Sequence, residues 1–174
     1  MLAFDLETTG LDPRTDKITC AAAYDPDAGI DRAFLLCAGE DPAEFLALLD
    51  NADRLCAFRG GGFDLPFLQH SLGVPAARVR SWRLKLHDVF EGCQLALRVT
   101  FSLDALLSAN GLEGKTGSGK EAVAMARDRR WDELARYCLH DARMTHRVSS
   151  LERILLPRTR GLCMTPTGVF EVMG

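Results

Sequence analysis

The chain has 174 residues, of which 47% are hydrophobic and 26% are charged, and its formal net charge is −3. This composition is typical of a folded domain with one sizeable core and excludes a disordered or fibrous chain. The acidic balance argues weakly against a protein that coats nucleic acid by bulk electrostatics. It leaves nucleases open, because a site that holds cations must itself be acidic.

The sequence also bears on cellular location. No apolar run approaches the roughly 20 residues that a membrane span requires, so no membrane partner is expected. The first apolar stretch contains Asp5 and Glu7 and lacks a basic lead-in, which is not the pattern of a signal peptide. The six cysteines form no Cys-x-x-Cys pair, so we expect buried thiols and neither a zinc site nor a disulfide framework. The predicted location is the cytoplasm or another reducing intracellular compartment.

The predicted elements begin with strands and end with helices. Apolar runs and alternation predict strands at 1–7, 18–24, 31–37 and 54–58, the second and third joined as a hairpin by the turn DPDAG. The stretch RLKLHDVF (83–90) is predicted to be a strand that continues into a helix. Apolar periodicity and capping residues predict helices at 41–52, 63–73, 103–110, 121–130 and 131–156.

This order of elements predicts an α/β fold, a mixed five-stranded sheet flanked by helices. Residues 1–156 are predicted to form the domain, and residues 157–174, rich in Pro, Gly and Thr, to form a peripheral C-terminal segment without an assigned element. Two basic clusters, at 78–85 and 127–130, are equally compatible with solvated faces and with nucleic-acid contacts.

The stretch GKTGSGKE (114–121) resembles a phosphate-binding loop, in which Gly, four residues, Gly and Lys precede a Ser or Thr that binds Mg²⁺. Both glycines and Lys120 fit this pattern, but Glu121 replaces the hydroxyl residue. Such a loop joins a buried strand to a helix, whereas a predicted helix precedes this one. We therefore expect a connection between two helices, with Lys115 and Lys120 available to contact phosphates, and no ATP binding.

Asp5 and Glu7 lie two residues apart on the first predicted strand. Because side chains alternate across a strand, both carboxylates project from the same face. Their neighbours Leu2, Phe4 and Leu6 indicate a buried central strand, where paired acids are unfavourable unless a cation lies between them. The alternative is two acids on a solvated strand end.

Three further polar residues occupy positions typical of sites. Asp64 follows RGGGF, where the end of a strand meets the start of a helix, and the glycines leave the backbone open to a ligand. The alternative for Asp64 is a helix cap. Tyr137 and Asp141 are four residues apart and lie on one core-facing side of the last helix. A metal for Asp141 and a water for the phenol would satisfy both, and an intrahelical hydrogen bond between them is the alternative.

Together, DLET on the first strand, FD after a glycine-rich turn and Tyr-x-x-x-Asp near the end resemble the DEDD superfamily of 3′–5′ exonucleases, which has a ribonuclease H-like fold. The Tyr137–Asp141 spacing is similar to that of the DEDDy branch, whereas the DEDDh branch has His where this chain has Arg136. SLDALL and the Gly-Lys linker look like those of stand-alone polymerase-B-like proofreading exonucleases. The resemblance covers about residues 1–150. It departs from the family at Arg59, where the second motif usually has Asn.

The resemblance implies a metal-dependent 3′–5′ exonuclease that releases nucleoside 5′-monophosphates from the 3′ end of a single strand. Carboxylates without His or Cys form a hard-oxygen site suited to two divalent ions, Mg²⁺ or Mn²⁺. By resemblance, Asp5 contacts both ions, Glu7 and Asp141 hold the ion beside the attacking water, and Asp64 supports the second. Tyr137 orients that water. These four acids and Tyr137 are the expected catalytic residues.

Substrate contacts are expected from Thr8, Phe63, Leu65, Lys115 and Lys120. Apolar and aromatic side chains stack on bases of any sequence, although a core position is the favoured alternative for Phe63 and Leu65. Asp88 is a candidate outer acid. DNA is expected over RNA, and a separate polymerase, helicase or other replication or repair protein is an expected partner. The alternative function is a catalytically inactive nucleic-acid-binding module of the same fold.

Overall fold

The computed structural model describes residues 1–114, 116–157, 162–164 and 170–172. Within these residues the main sheet has five strands: β1 (Leu2–Thr8), β2 (Ile18–Asp25), β3 (Ile30–Phe34), β4 (Leu55–Ala57) and β5 (Leu86–Asp88). They lie in the order β3-β2-β1-β4-β5, antiparallel from β3 to β1 and parallel from β1 to β5. The predicted mixed five-stranded sheet flanked by helices is therefore confirmed.

The described helices are α1 (Ala43–Asn51), α2 (Asp64–Ser71), α3 (Ala76–Leu84), α4 (Val89–Leu97), α5 (Leu103–Ala109), α6 (Gly119–Arg127) and α7 (Trp131–Ser149). They cover the sheet on both faces. One core joins Leu2, Phe4 and Leu6 of β1 to buried side chains of α1, α2 and α3. On the other face, α7 lies against the small residues Cys20 and Ala22 of β2. In the described part of the chain, no helix combines the length and the apolar character needed to cross a bilayer.

The C-terminal prediction needs correction. The predicted helix 131–156 ends at Ser149, and Ile154–Leu155 forms a strand, β6, that pairs antiparallel with β7 (Leu162–Met164), which pairs with β8 (Phe170–Val172). The physical reason is a contact distant in sequence. The side-chain amide of Asn110 donates to the carbonyl of Leu155 and accepts from its backbone N–H, which holds that segment extended. The predicted boundary after residue 156, between the domain and a peripheral C-terminal segment, remains a prediction.

Two other predicted boundaries also differ. The third strand ends at Phe34 and not at residue 37, because Leu36–Ala38 turns into a short 3-10 helix. In the stretch 83–90 the strand is confined to Leu86–Asp88. Residues 83 and 84 belong to α3, a helix that the sequence did not predict. Three arginines interrupt the apolar pattern of α3, yet Trp82 within it is fully buried.

Candidate functional site

Asp5 and Glu7 lie on β1 and project from the face that α7 covers. Their strand partners on β2 are Ala22 and Cys20, and the register shifts between Glu7 and Thr8, as in a β-bulge. Ligand atoms of Asp5, Glu7 and Cys138 all lie within 4.8 Å of one another. The Cys138 thiol lies 3.5 Å from the Asp5 carbonyl and 3.7 Å from its Oδ2. Small partners on β2 thus let α7 approach the two carboxylates closely.

Tyr137 and Asp141 lie on the buried face of α7, one turn apart. Tyr137 is 3% exposed and Asp141 1% exposed, so the helix turns both polar groups toward the sheet. Leu134, Cys138 and Ala142 share this face and anchor it in the core. Apolar spacing of α7 therefore aims a phenol and a carboxylate at the face of β1 that bears Asp5 and Glu7.

Asp64 is the first residue of α2 and is 3% exposed. Burial raises the pKa of its carboxyl well above the ordinary value, and the nearby carboxylates of Asp5 and Asp88 raise it further. Backbone N–H groups oppose this shift without cancelling it. A buried acid that is held among other acids is unfavourable as an anion unless a cation neutralises the cluster.

Asp88 organises the loop that leads to Asp64. Its carboxylate accepts the backbone N–H of Arg59 at 3.2 Å, of Gly61 at 3.0 Å and of Glu91 at 3.1 Å. The last of these bonds caps α4. Burial raises the pKa of Asp88, although these three bonds favour its ionised form. Asp88 is therefore near the predicted site, bound to the loop that positions Asp64.

The glycines before Asp64 permit close packing within the protein. A Cβ at Gly60 would collide with the Cβ of Ala57, and one at Gly61 would collide with the Arg83 side chain. A Cβ at Gly62 would meet only the Arg59 carbonyl, at 4.0 Å. The space beside the first two glycines is thus filled by protein atoms, and the predicted openness of the backbone to a ligand is found only at Gly62.

One cavity of about 750 Å³ brings the predicted residues together at the carboxyl end of β1 and β4. It is lined by eight of them: Asp5, Glu7, Thr8, Phe63, Asp64, Lys120, Tyr137 and Asp141. Leu65 is not among its lining residues and is 2% exposed in the core. Lys115 lies outside the described residues.

The segment that resembles a phosphate-binding loop connects α5 to α6. Ser118 caps α6 by accepting the N–H of Glu121, and the Glu121 carboxylate accepts the N–H of Ser118 at 2.7 Å. Glu121 thus completes a capping box at the position where a phosphate-binding loop has a hydroxyl. A Cβ at Gly117 would lie 3.3 Å from the Tyr137 ring, so this glycine allows the segment to pass over that ring.

Sequence reasoning missed several residues that line the cavity. Leu11, which is 84% exposed, and Val123, which is 37% exposed, are large apolar side chains in contact with water. Arg59 also lines the cavity and has φ +66°, an unusual backbone conformation for a residue other than glycine. Only the departure of Arg59 from the family pattern was visible in the sequence; an exposed leucine has no sequence signal.

Comparisons with known proteins agree with this fold. It is similar to the family B DNA polymerase from the hyperthermophilic archaeon Pyrobaculum calidifontis, with a TM-score of 0.64 and 22% identity over 83% of this chain and 23% of the polymerase. It is also similar to exonuclease I, with a TM-score of 0.52 and 16% identity over 85% of this chain and 39% of that protein. This chain therefore spans less than half of either protein. No curated protein sequence matches it.

A family model gives the assignment. The model of the RNase H superfamily matches residues 2–151, which include all five elements of the sheet and every residue named above as lining the cavity. The chain belongs to the ribonuclease H superfamily.

Proposed function

We propose that the protein is a metal-dependent 3′–5′ exonuclease of the DEDDy type. The observation that supports this best is the single cavity in which four carboxylates and Tyr137 meet at the carboxyl end of the central strands. Ligand sites in open α/β sheets lie at this end. Membership of the ribonuclease H superfamily is consistent with phosphodiester hydrolysis at such a site.

The residues fit divalent ions. The four carboxylates offer oxygen donors, which suit Mg²⁺ or Mn²⁺. Burial raises the pKa of the adjacent Cys138 thiol well above its ordinary value, so we do not assign it as a ligand. The raised pKa of Asp64, caused first by burial and then by Asp5, indicates that a positive charge would stabilise this cluster. We assign Asp5, Glu7, Asp64 and Asp141 as the ligands. When bound, two divalent ions supply an activated water and neutralise charge on the leaving 3′ oxygen.

The protein's own contribution is orientation of the attacking water. Tyr137 is 3% exposed on the wall of the cavity and lies one turn before Asp141. A phenol is a good hydrogen-bond donor and a poor base at neutral pH, so we assign it the role of orienting the attacking water. The proton that this water releases is not assigned to Tyr137.

The residues that line the cavity also suit a single strand of nucleic acid. Lys120 supplies a cation for a phosphate, and the Thr8 hydroxyl, which donates to the Gly10 carbonyl at 2.6 Å, retains acceptor capacity for a hydroxyl of the substrate. Phe63 is partly buried against Phe67, with ring centroids 4.8 Å apart, and also lines the cavity. Together with exposed Leu11, it offers an apolar surface for bases of any sequence. Leu65, buried in the core, is not included in this surface.

The substrate and partner follow from similarity. A DNA polymerase contains this fold within a longer chain, so we favour DNA over RNA as the substrate. On the same basis we propose a separate polymerase, or another replication or repair protein such as a helicase, as the partner that delivers the 3′ end.

The test is cleavage of 5′-labelled and 3′-labelled single strands of DNA and RNA with Mn²⁺, Mg²⁺ or EDTA. We expect metal-dependent release of nucleoside 5′-monophosphates from the 3′ end, faster from DNA, and no release by Asp141→Asn. Binding of the strand without cleavage at any metal concentration would favour the inactive binding module. Cleavage that begins at the 5′ end or within the strand would contradict the assignment.

A further inference from the structure

A second cavity of about 260 Å³ adjoins the acidic one. Six residues line it: Arg59, Gly62, Phe63, Phe90, Glu91 and Gln94. Arg59 and Phe63 line both cavities, so these two side chains form the border between them. A nucleic-acid strand that enters the acidic cavity can therefore extend into the smaller one. The cation Arg59 lies at the border between the two cavities.

The side chain of Arg59 is held in place at this border. Its guanidinium lies 4.0 Å above the centroid of the Phe90 ring, and Nη2 donates to the Phe101 carbonyl at 3.3 Å. Phe90 and Phe101 pack edge to face, with centroids 5.7 Å apart. The backbone N–H of Arg59 is bound by Asp88. A cation fixed on both sides loses little conformational freedom when it binds a ligand.

Most of the hydrogen-bonding capacity of Arg59 remains available. A guanidinium has five N–H donors, and the side-chain bond described above uses one of them. Among the described residues, no carboxylate forms an ion pair with Arg59. The neighbouring Arg83, in contrast, is paired with Glu91. A fixed, exposed guanidinium next to a cavity for a phosphodiester suits a second phosphate.

We propose that Arg59 binds the phosphate next to the scissile one, and that the smaller cavity receives the base of the second nucleotide from the 3′ end. This inference rests on the proposed exonuclease function. Phe63, which lines the smaller cavity, provides an aromatic ring for that base. A phosphate contact carries no sequence information, so the subsite increases affinity for any strand of at least three nucleotides, the shortest with a second linkage.

The structure offers a test variant that preserves the loop. Arg59 has φ +66°, and Asn adopts this region more readily than most other residues. Arg59→Asn therefore removes the cation without straining the backbone, and Asn is also the residue that the family pattern has there. The matched control is Arg54→Gln, which removes an arginine at the amino end of β4, beside a different cavity.

The experiment measures kcat and KM with Mn²⁺ on strands that carry one uncharged methylphosphonate, either next to the scissile linkage or three linkages further along. We expect the adjacent methylphosphonate to raise KM of the wild type about tenfold and to leave KM of Arg59→Asn nearly unchanged. Arg59→Asn should itself raise KM on the ordinary strand about tenfold. Its slope of log KM against log salt should fall by about 0.7. Arg54→Gln should behave like the wild type.

A second arm tests the base. An abasic second nucleotide should raise KM of the wild type about tenfold, and an abasic fifth nucleotide should have little effect. An equal rise in KM for the wild type and Arg59→Asn with the adjacent methylphosphonate would overturn the phosphate contact. An unchanged KM with the abasic second nucleotide would overturn the base subsite.

Binding of the same strands, measured by fluorescence anisotropy, separates this inference from the proposed function. Arg59-dependent binding of strands that the wild type does not cleave would leave this subsite supported and the exonuclease function contradicted. Normal cleavage with no dependence on Arg59 in either assay would contradict the subsite alone.

Discussion

The two ends of the sheet treat acidic residues in opposite ways. At the amino ends of β1 and β4, acids are paired: the Met1 amine bonds Asp25 at 3.0 Å, and Asp50 accepts from Arg78 and from the Trp82 indole, the latter at 2.8 Å. At the carboxyl ends, Asp5 and Asp64 lie close enough for one carboxylate to perturb the other. The first arrangement joins β1 to β2 and α1 to α3, and the second gathers acidic side chains in a cavity.

The pKa values differ accordingly. The hydrogen bond from Arg78 lowers the pKa of Asp50, whereas burial and the neighbouring Asp5 raise the pKa of Asp64. The ionised form of an aspartate is thus stabilised by folding at one end of the sheet, as in Asp50, and destabilised at the other, as in Asp64. Strain of this kind persists where function requires it.

The sharpest test of this contrast pairs Asp64→Asn with Asp50→Asn. Asp64→Asn should lower the cleavage rate on the order of a thousandfold, because it removes a proposed ligand of a catalytic ion. It should leave the melting temperature in EDTA equal to or above that of the wild type, because the buried charge is removed. Asp50→Asn should leave kcat unchanged and lower the melting temperature slightly, since an exposed ion pair contributes little. Loss of activity in Asp50→Asn, or unfolding of Asp64→Asn, would contradict the division of roles.

The next largest effect is expected from Tyr137. Tyr137→Phe keeps the ring that packs below Gly117 and removes only the hydroxyl. It should lower kcat about tenfold to a hundredfold, because a hydrogen bond that orients the attacking water is lost. Single-turnover cleavage with titrated Mn²⁺ measures both the rate and the apparent metal affinity.

The control for this variant lies one turn along the same helix. Asp141→Asn should weaken both the rate and the metal affinity, whereas Tyr137→Phe should leave the affinity close to wild type. Unchanged cleavage by Tyr137→Phe would show that the tyrosine is only a core residue, and the assignment to the DEDDy type would then depend on the carboxylates alone.

Metal binding at the carboxyl end of the sheet should raise the melting temperature of the protein. Mn²⁺ at about a hundred times its Kd should raise the melting temperature of the wild type by about 5 to 10 °C, because the ions bind only the folded state. Asp5→Asn should show less than half of this shift, and Asp50→Asn should show all of it. Equal shifts in Asp5→Asn and the wild type, measured by differential scanning fluorimetry, would mean that the acids do not form one metal site.

Local periodicity explains why much of the site was predictable. Alternation on β1 placed Asp5 and Glu7 on one face, and helical spacing placed Tyr137 and Asp141 on one side of α7. Both relations depend only on residues close in sequence. The sheet itself was predictable for the same reason, since short runs rich in apolar residues mark its central strands.

Long-range contacts explain what was missed. Three arginines interrupt the apolar pattern of helix α3, which is held by Trp82, whose indole donates to Asp50 of α1. Strand β6 depends on the distant Asn110. The role of Asp88 depends on three backbone groups, two of them in the loop between β4 and α2. No local pattern reveals such partners, because they meet only after the chain has folded.

The smallest expected effect is the pH dependence of stability without metal. A carboxyl whose pKa is raised by folding, such as Asp64, contributes stability below its ordinary value of 3.8. That contribution is lost as the pH rises through the folded pKa. A carboxyl whose pKa is lowered, such as Asp50, contributes stability above 3.8, and that contribution is lost as the pH falls through its folded value.

The two variants should therefore change opposite ends of the pH profile. In urea unfolding with EDTA, the free energy of the wild type should decline above pH 4, with at most about 1.4 kcal/mol per pH unit from any single group. Asp64→Asn should flatten this decline and leave the acidic limb unchanged. Asp50→Asn should flatten only the acidic limb, and by less, because its side chain is 41% exposed and solvent screens the pair. If Asp64→Asn instead changed the acidic limb, the carboxyl of wild-type Asp64 would be stabilised as an anion. The acidic cavity would then resemble the end of the sheet where acids are paired.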